Sequence, residues 1–92
     1  MDEKEAILEF RKWSNKKFCL EAVKRNGYAL SYVKEQTNKI CLEAVKNDGN
    51  ALRYVKEQTN EICLEAVKRN GDALSYVKDE TTLRMILRTV KF

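Results

Sequence analysis

The sequence predicts an all-α fold: an α-solenoid of about eight short helices, built from two-helix repeats of 22 residues. Three observations carry that expectation. The phrase CLEAVKRNG at Cys19 returns as CLEAVKNDG at Cys41 and again as CLEAVKRNG at Cys63. Proline is absent and glycine occurs only three times, which leaves long stretches free to be helical. No segment alternates apolar and polar residues with period two, which argues against strands.

Stacked by period, the units beginning at Cys19 and Cys41 agree at 17 of 22 positions, which fixes the register. The expected organisation is one repeat domain over 1–92, with an N-terminal half-repeat or cap at 1–18. Full repeats follow at 19–40, 41–62 and 63–84, and a C-terminal half-repeat or cap at 85–92. In the first half-repeat, AILEFRKWSNKKF from Ala6 matches YALSYVKEQTNKI, the later half of a unit. In the last, MILRTVK from Met85 matches ICLEAVK once a single insertion is allowed.

The first helix of each unit carries apolar residues around most of its circumference. In the second copy Ile40, Cys41, Leu42, Ala44 and Val45 span an arc of ~200°, wider than the ~100° stripe of a one-sided surface helix. Such a helix packs on more than one side. Asn38 and Asn60 are the expected N-caps, and Gly27, Gly49 and Gly71 the expected left-handed C-caps. The second helix is expected to start at once, with Asn50 and Asp72 as N-caps. It would turn Ala51, Leu52, Tyr54 and Val55 inward and Arg53, Lys56 and Glu57 outward. Helices of ~8–10 residues are marginal alone, so stacking on neighbours must stabilise them.

The pattern CLEAVKxxGxALxYVKxQT resembles a family of short tandem helical repeats, a domain of unknown function found in bacteria and large DNA viruses. The resemblance covers nearly the whole chain and is most specific at Leu-Glu-Ala-Val, Asn-Gly and Ala-Leu-x-Tyr-Val. It implies helical repeats and partner binding, in a protein encoded by a mobile element or virus, and it supplies no catalytic residue. Relatives often carry proline after the Tyr-Val pair. Here Lys34, Lys56 and Lys78 stand there, so a longer second helix is expected.

Composition narrows the function classes. The chain is 43% hydrophobic and 35% charged, as ordered proteins are, and no apolar run approaches the ~20 residues that cross a bilayer. The N-terminus MDEKEAILEF lacks an apolar signal core, so a cytoplasmic location is expected, in the producing cell or in an infected host. The net charge of +4 is unevenly placed: +1 over 1–18, zero over 19–82 and +3 over 83–92. A body without a basic stripe does not favour phosphate tracking.

Candidate chemistry is sparse. Cys19, Cys41 and Cys63 occupy equivalent places in successive units, too far apart for a disulfide, and the chain has no histidine to share a zinc ion or act as a base. They are expected to pack as small hydrophobes. No catalytic residue, cofactor or metal is expected, and the protein is expected not to be an enzyme. Tyr32, Tyr54 and Tyr76 form a second ladder, with Phe10 in the same slot, and are expected to pack between units. Glu21 with Arg25 and Glu65 with Arg69 are expected i,i+4 pairs on a solvated face.

Departures from the repeat point to binding. Trp13 stands in the slot of Glu35, Glu57 and Asp79, and Tyr28 in that of Asn50 and Asp72. Both place an aromatic where the repeat predicts solvent, and such aromatics anchor interfaces. Trp13 as a cap on the stack is the alternative. The expected partner-binding residues are Trp13, Tyr28, Arg11, Lys12, Arg53, Leu87 and Phe92, and the expected partner is a protein engaged by a small adaptor or inhibitor. The alternative is nucleic acid held by Arg11, Lys12, Lys16 and Lys17 and by Arg84, Arg88 and Lys91. Leu83, Ile86, Leu87, Val90 and Phe92 of the last segment, rimmed by Arg84, Arg88 and Lys91, suggest a homodimer through it, with folding of the last helix back onto the stack as the alternative.

Overall fold

In the computed structural model, which describes residues 2–90, α-helices alternate with short 3₁₀ helices along an elongated stack of about 50 × 22 × 19 Å. The order is α1 (Glu3–Ser14), α2 (Lys16–Arg25), η1 (Gly27–Tyr32), α3 (Asn38–Asn47), η2 (Gly49–Tyr54), α4 (Asn60–Arg69), η3 (Gly71–Tyr76) and α5 (Glu80–Thr89). Helices α2, α3 and α4 pack side by side in one layer, and η1, η2 and η3 in the other. Each of η1 and η2 touches both the α-helix before it and the one after it. Eight helices that pack on successive neighbours form the helical repeat solenoid the periodicity predicts. Among the described residues there is no strand, and no helix is long and apolar enough to cross a membrane.

The wide apolar arc of the α-helices is filled from both sides. Ile40, Cys41, Ala44 and Val45 of α3 are all buried, as are Ile62, Cys63, Ala66 and Val67 of α4. From the other layer Leu30 and Leu52 are wholly enclosed, each burial contributing on the order of 1.5–3 kcal/mol. Glu65 reaches Arg69 at 3.8 Å as expected, whereas Glu21 pairs with Lys24, at 4.0 Å, and not with Arg25. These pairs sit largely in solvent.

Four further local expectations are corrected. The α-helix N-caps are Thr37 and Thr59, whose hydroxyls accept from the Ile40 and Ile62 N–H groups, so Asn38 and Asn60 are first helical residues. The 3₁₀ helices are capped one residue before their glycine. Asn26, Asp48 and Asn70, not Asn50 and Asp72, accept the N–H two residues on, at 2.9–3.0 Å.

The glycines are not left-handed caps, since none has a positive φ. Their service is close approach. A Cβ on Gly27 would collide with the Ala44 carbonyl oxygen, and one on Gly49 with that of Ala66, so each glycine lets the next unit's α-helix lie against it.

The second helix is also shorter than expected. It stops at Tyr32, Tyr54 or Tyr76, and the valine after it is extended, with Val55 at φ −76° and ψ 120°. An extended backbone is what the next hydrogen bonds require. The Gln36 side chain donates to the Tyr54 carbonyl at 2.7 Å and accepts the Lys56 N–H at 2.9 Å. Gln58 repeats both bonds with Tyr76 and Lys78, at 2.8 and 3.0 Å. Each glutamine amide thus behaves as a peptide group and pins one unit to the next. The lysine N–H that proline would lack is spent on this staple.

Candidate functional site

The staples hold the 3₁₀ layer in a fixed register, and that layer carries the aromatics. Side chains three apart eclipse on a 3₁₀ helix, so Tyr28 aligns with Ser31, and Ala29 with Tyr32. The tyrosine that ends each 3₁₀ helix therefore points along the same edge of every unit. Tyr54 and Tyr76 are half-buried between units, as the packing expectation requires, but Tyr32 is 61% exposed.

The first of these rings is met by α1. This segment aligns in sequence with the 3₁₀ half of a unit but folds as a regular α-helix, capped by Asp2, with none of its residues buried. Its final turn delivers Trp13 against Tyr32, with ring centroids 5.2 Å apart and planes 31° apart. Phe18 meets the indole edge-on at 5.1 Å. The indole N–H donates to Glu9 at 3.2 Å. Meanwhile the Trp13 carbonyl accepts the Lys34 N–H at 3.1 Å and the Cys19 thiol at 3.2 Å. Those are the donors that Gln36 and Gln58 take elsewhere in the stack. Trp13 therefore does what a cap does with its backbone, while its ring lines a surface.

Beyond Tyr32 the row continues. Tyr28 lies edge-on to Tyr54 with centroids 5.7 Å apart. The Arg53 guanidinium sits 5.4 Å from the Tyr54 ring and 5.5 Å from that of Tyr76, bridging the two. At the other end Lys12 Nζ lies 5.7 Å from the indole and 5.1 Å from the Phe18 ring. Trp13, Asn26, Tyr28, Ser31, Tyr32 and Tyr54 enclose a shallow cleft of about 290 Å³. No carboxylate is among its lining residues. Arg53 flanks it at one end, and at the other Lys12 is paired at 3.9 Å with Glu9, the acceptor of the indole N–H.

Of the residues singled out by sequence, Trp13, Tyr28, Lys12 and Arg53 are gathered on this face. Arg11 is not: it lines a separate shallow patch on α1 with Glu3, Lys4, Ile7 and Leu8. Lys16 and Lys17 are exposed at the start of α2. Leu87 lies on α5 in a groove with Gly71, Leu74 and Leu83, away from the aromatic face. Phe92 and Lys91 fall outside the described residues. Gln36, Gln58 and Asn47 were not singled out at all. Asn47 replaces the arginine of the other copies, donates to the Lys24 carbonyl at 3.0 Å and accepts the Gly27 N–H at 2.7 Å. The recurrence of glutamine one period apart was the available signal for the first two.

The cysteines take no part in the face. All three are buried and free, and the Cys41 and Cys63 thiols lie 3.5 and 3.4 Å from the Gln36 and Gln58 amide oxygens. Burial pushes the Cys41 thiol up to about 11 and raises Cys19 as well. For Cys63 burial leads and the Asp79 charge adds to it. At neutral pH these groups stay protonated, and they pack as the neutral sulfur of a core residue.

Comparison with curated proteins and with solved structures found no match. A family profile described as a domain of unknown function, DUF4116, matches residues 15–60 and again residues 38–81. The two overlapping matches are displaced by about one repeat and together span most of the stack, so the chain belongs to this family of helical repeats of unknown function.

Proposed function

We propose that the chain is a non-enzymatic protein-binding module, an adaptor or inhibitor, whose aromatic 3₁₀ face receives an acidic segment of a protein partner. The observation that carries this reading is the cleft bounded by Trp13, Tyr28, Tyr32 and Tyr54, with Lys12 and Arg53 beside it. Rigid, partly exposed tryptophan and tyrosine rings give large contact area at little entropic cost, and such residues dominate binding energy where they fill or form pockets. The flanking cations select for carboxylates, each rim pair adding about 0.2–1 kcal/mol and more to specificity than to affinity. The repeat supports the same division of labour, since the scaffold positions recur while Trp13, Tyr28 and Arg53 break the pattern.

Selection of displayed random peptides on the folded chain tests this. Enriched sequences should combine acidic residues with an aromatic or branched aliphatic anchor. Trp13→Ala and Tyr28→Asp should each weaken binding of the enriched peptides by about tenfold or more, as loss of an interface anchor does. Enrichment that survives both substitutions would contradict the reading. So would tight, steeply salt-dependent binding of single-stranded DNA lost on reversal of Arg11, Lys12, Lys16 and Lys17 to glutamate, with no peptide selected.

A further inference from the structure

The two layers are closed differently along the stack. Within the first two units Gly27 and Gly49 are covered by the following α-helix, and Leu30 and Leu52 are wholly enclosed. In the third unit Gly71 is exposed and Leu74 only half-buried. The cause is α5. Its cap, Asp79, follows Thr59 by twenty residues where Thr59 follows Thr37 by twenty-two. It also packs on α4 far less extensively than α4 packs on α3. Between η3 and α5 this leaves an apolar groove of about 580 Å³, lined by Gly71, Leu74, Leu83 and Leu87, with Asp72 and Ser75 at its rim.

The position of the groove says what shape fills it. Segment η2 packs on both η1 and α3, so a groove between η3 and α5 is where a further element of the 3₁₀ layer would lie. The chain carries one such element with an uncovered apolar ridge. Helix α1 aligns with the 3₁₀ half of a unit, buries none of its residues, and presents Ile7 and Leu8 together on one face with Glu3, Lys4 and Arg11. Leu8 falls in the slot of Leu30 and Leu52, both wholly enclosed, yet it is 55% exposed; Leu87 across the stack is 52% exposed. Charge matches as well. Arg11 on the α1 ridge is opposite in charge to Asp72 at the groove rim, whereas Arg84 and Arg88 line a separate patch of α5 and Arg84 is paired with Glu80 at 2.7 Å.

We propose that α1 of one copy docks in the η3–α5 groove of a second, with Ile7 and Leu8 against Leu74, Leu83 and Leu87. The contact is head-to-tail: the two surfaces differ, and a pair keeps one groove free on one copy and one ridge free on the other, so association can continue. In the pair, α5 of one copy and α1 of the other complete a two-layer unit. This inference is independent of the aromatic face, which uses neither ridge nor groove.

Light scattering from low to high micromolar concentration, on the wild-type chain and on Leu8→Glu and Leu87→Glu, decides it. The wild-type mass should rise with concentration. Each variant alone should weaken self-association by about tenfold or more, because a charge would be buried without a partner. An equimolar mixture of the two variants has one intact ridge and one intact groove, and it should return a species of two chains that grows no further. Circular dichroism should show unchanged helicity, since both leucines are half-exposed in the single chain. If either variant unfolds, Leu8→Gln and Leu87→Gln replace them. A wild-type chain that stays monomeric would overturn the proposal. So would self-association untouched by Leu8→Glu, the mark of an α5-to-α5 dimer, or a variant mixture that fails to pair.

Discussion

Gly49 and Gly71 hold the same place in the repeat, and the structure gives them different work. A left-handed cap would demand glycine at both, but neither adopts a positive φ. The demand at Gly49 comes from the Ala66 carbonyl pressed against its Cα, whereas Gly71 faces solvent. Gly49→Ala should therefore destabilise the chain by about 1–3 kcal/mol, the usual result of overpacking a tight contact. Gly71→Ala should be neutral or slightly stabilising, because alanine reduces the freedom of the unfolded chain. Urea denaturation of the two variants checks this, and equal losses would restore the cap explanation. At this scale the sequence was a partial guide. Threonine followed by asparagine offers two good N-caps in a row, and propensity cannot choose between them. The choice falls to Thr37 and Thr59 because the helix must begin early enough to bury Ile40 and Ile62 three residues on.

At the scale of elements, the repeat period made the alternation of two helices readable, and it hid how the second one ends. A lysine in place of proline removes a helix breaker, which favours extension when only propensity is weighed. The structure resolves the competition the other way. Gln36 and Gln58 offer the chain a peptide-like partner that only extended backbone can reach, so the segment stops after six residues. Glutamine reads as a solvated side chain in sequence, and its role emerges only when the neighbouring unit is in place. Lys56→Pro isolates the staple, since Val55 already has the extended conformation a following proline prefers. Losing the N–H bonded to Gln36 should cost about 1–2 kcal/mol, while Lys56→Ala, which keeps it, should change stability by less than ~0.5 kcal/mol. Thermal or urea unfolding separates the two.

Over the whole molecule, charge and aromaticity are divided between surfaces. The repeated body is neutral and supplies the stack, and the departures from the repeat supply what a partner could recognise. Trp13 and Tyr28 lie fifteen positions apart in sequence, and one period-breaking substitution each was enough to mark them. Their convergence on one cleft with Tyr32 and Tyr54 was not legible, because it depends on α1 folding as an α-helix and turning the indole onto the next unit. The same geometry separates Arg11 from the face, although it belongs to the basic cluster around Trp13 in the sequence. The central claim is that this face is where a protein partner binds. Titration of the ¹⁵N-labelled chain with a peptide selected on it, followed by two-dimensional NMR, tests that claim most directly. Shifts should be confined to the Trp13 indole N–H and to amides of Lys12, Asn26–Tyr32 and Arg53–Tyr54. Shifts confined to α5, or to Lys16, Lys17, Arg84 and Arg88, would contradict it.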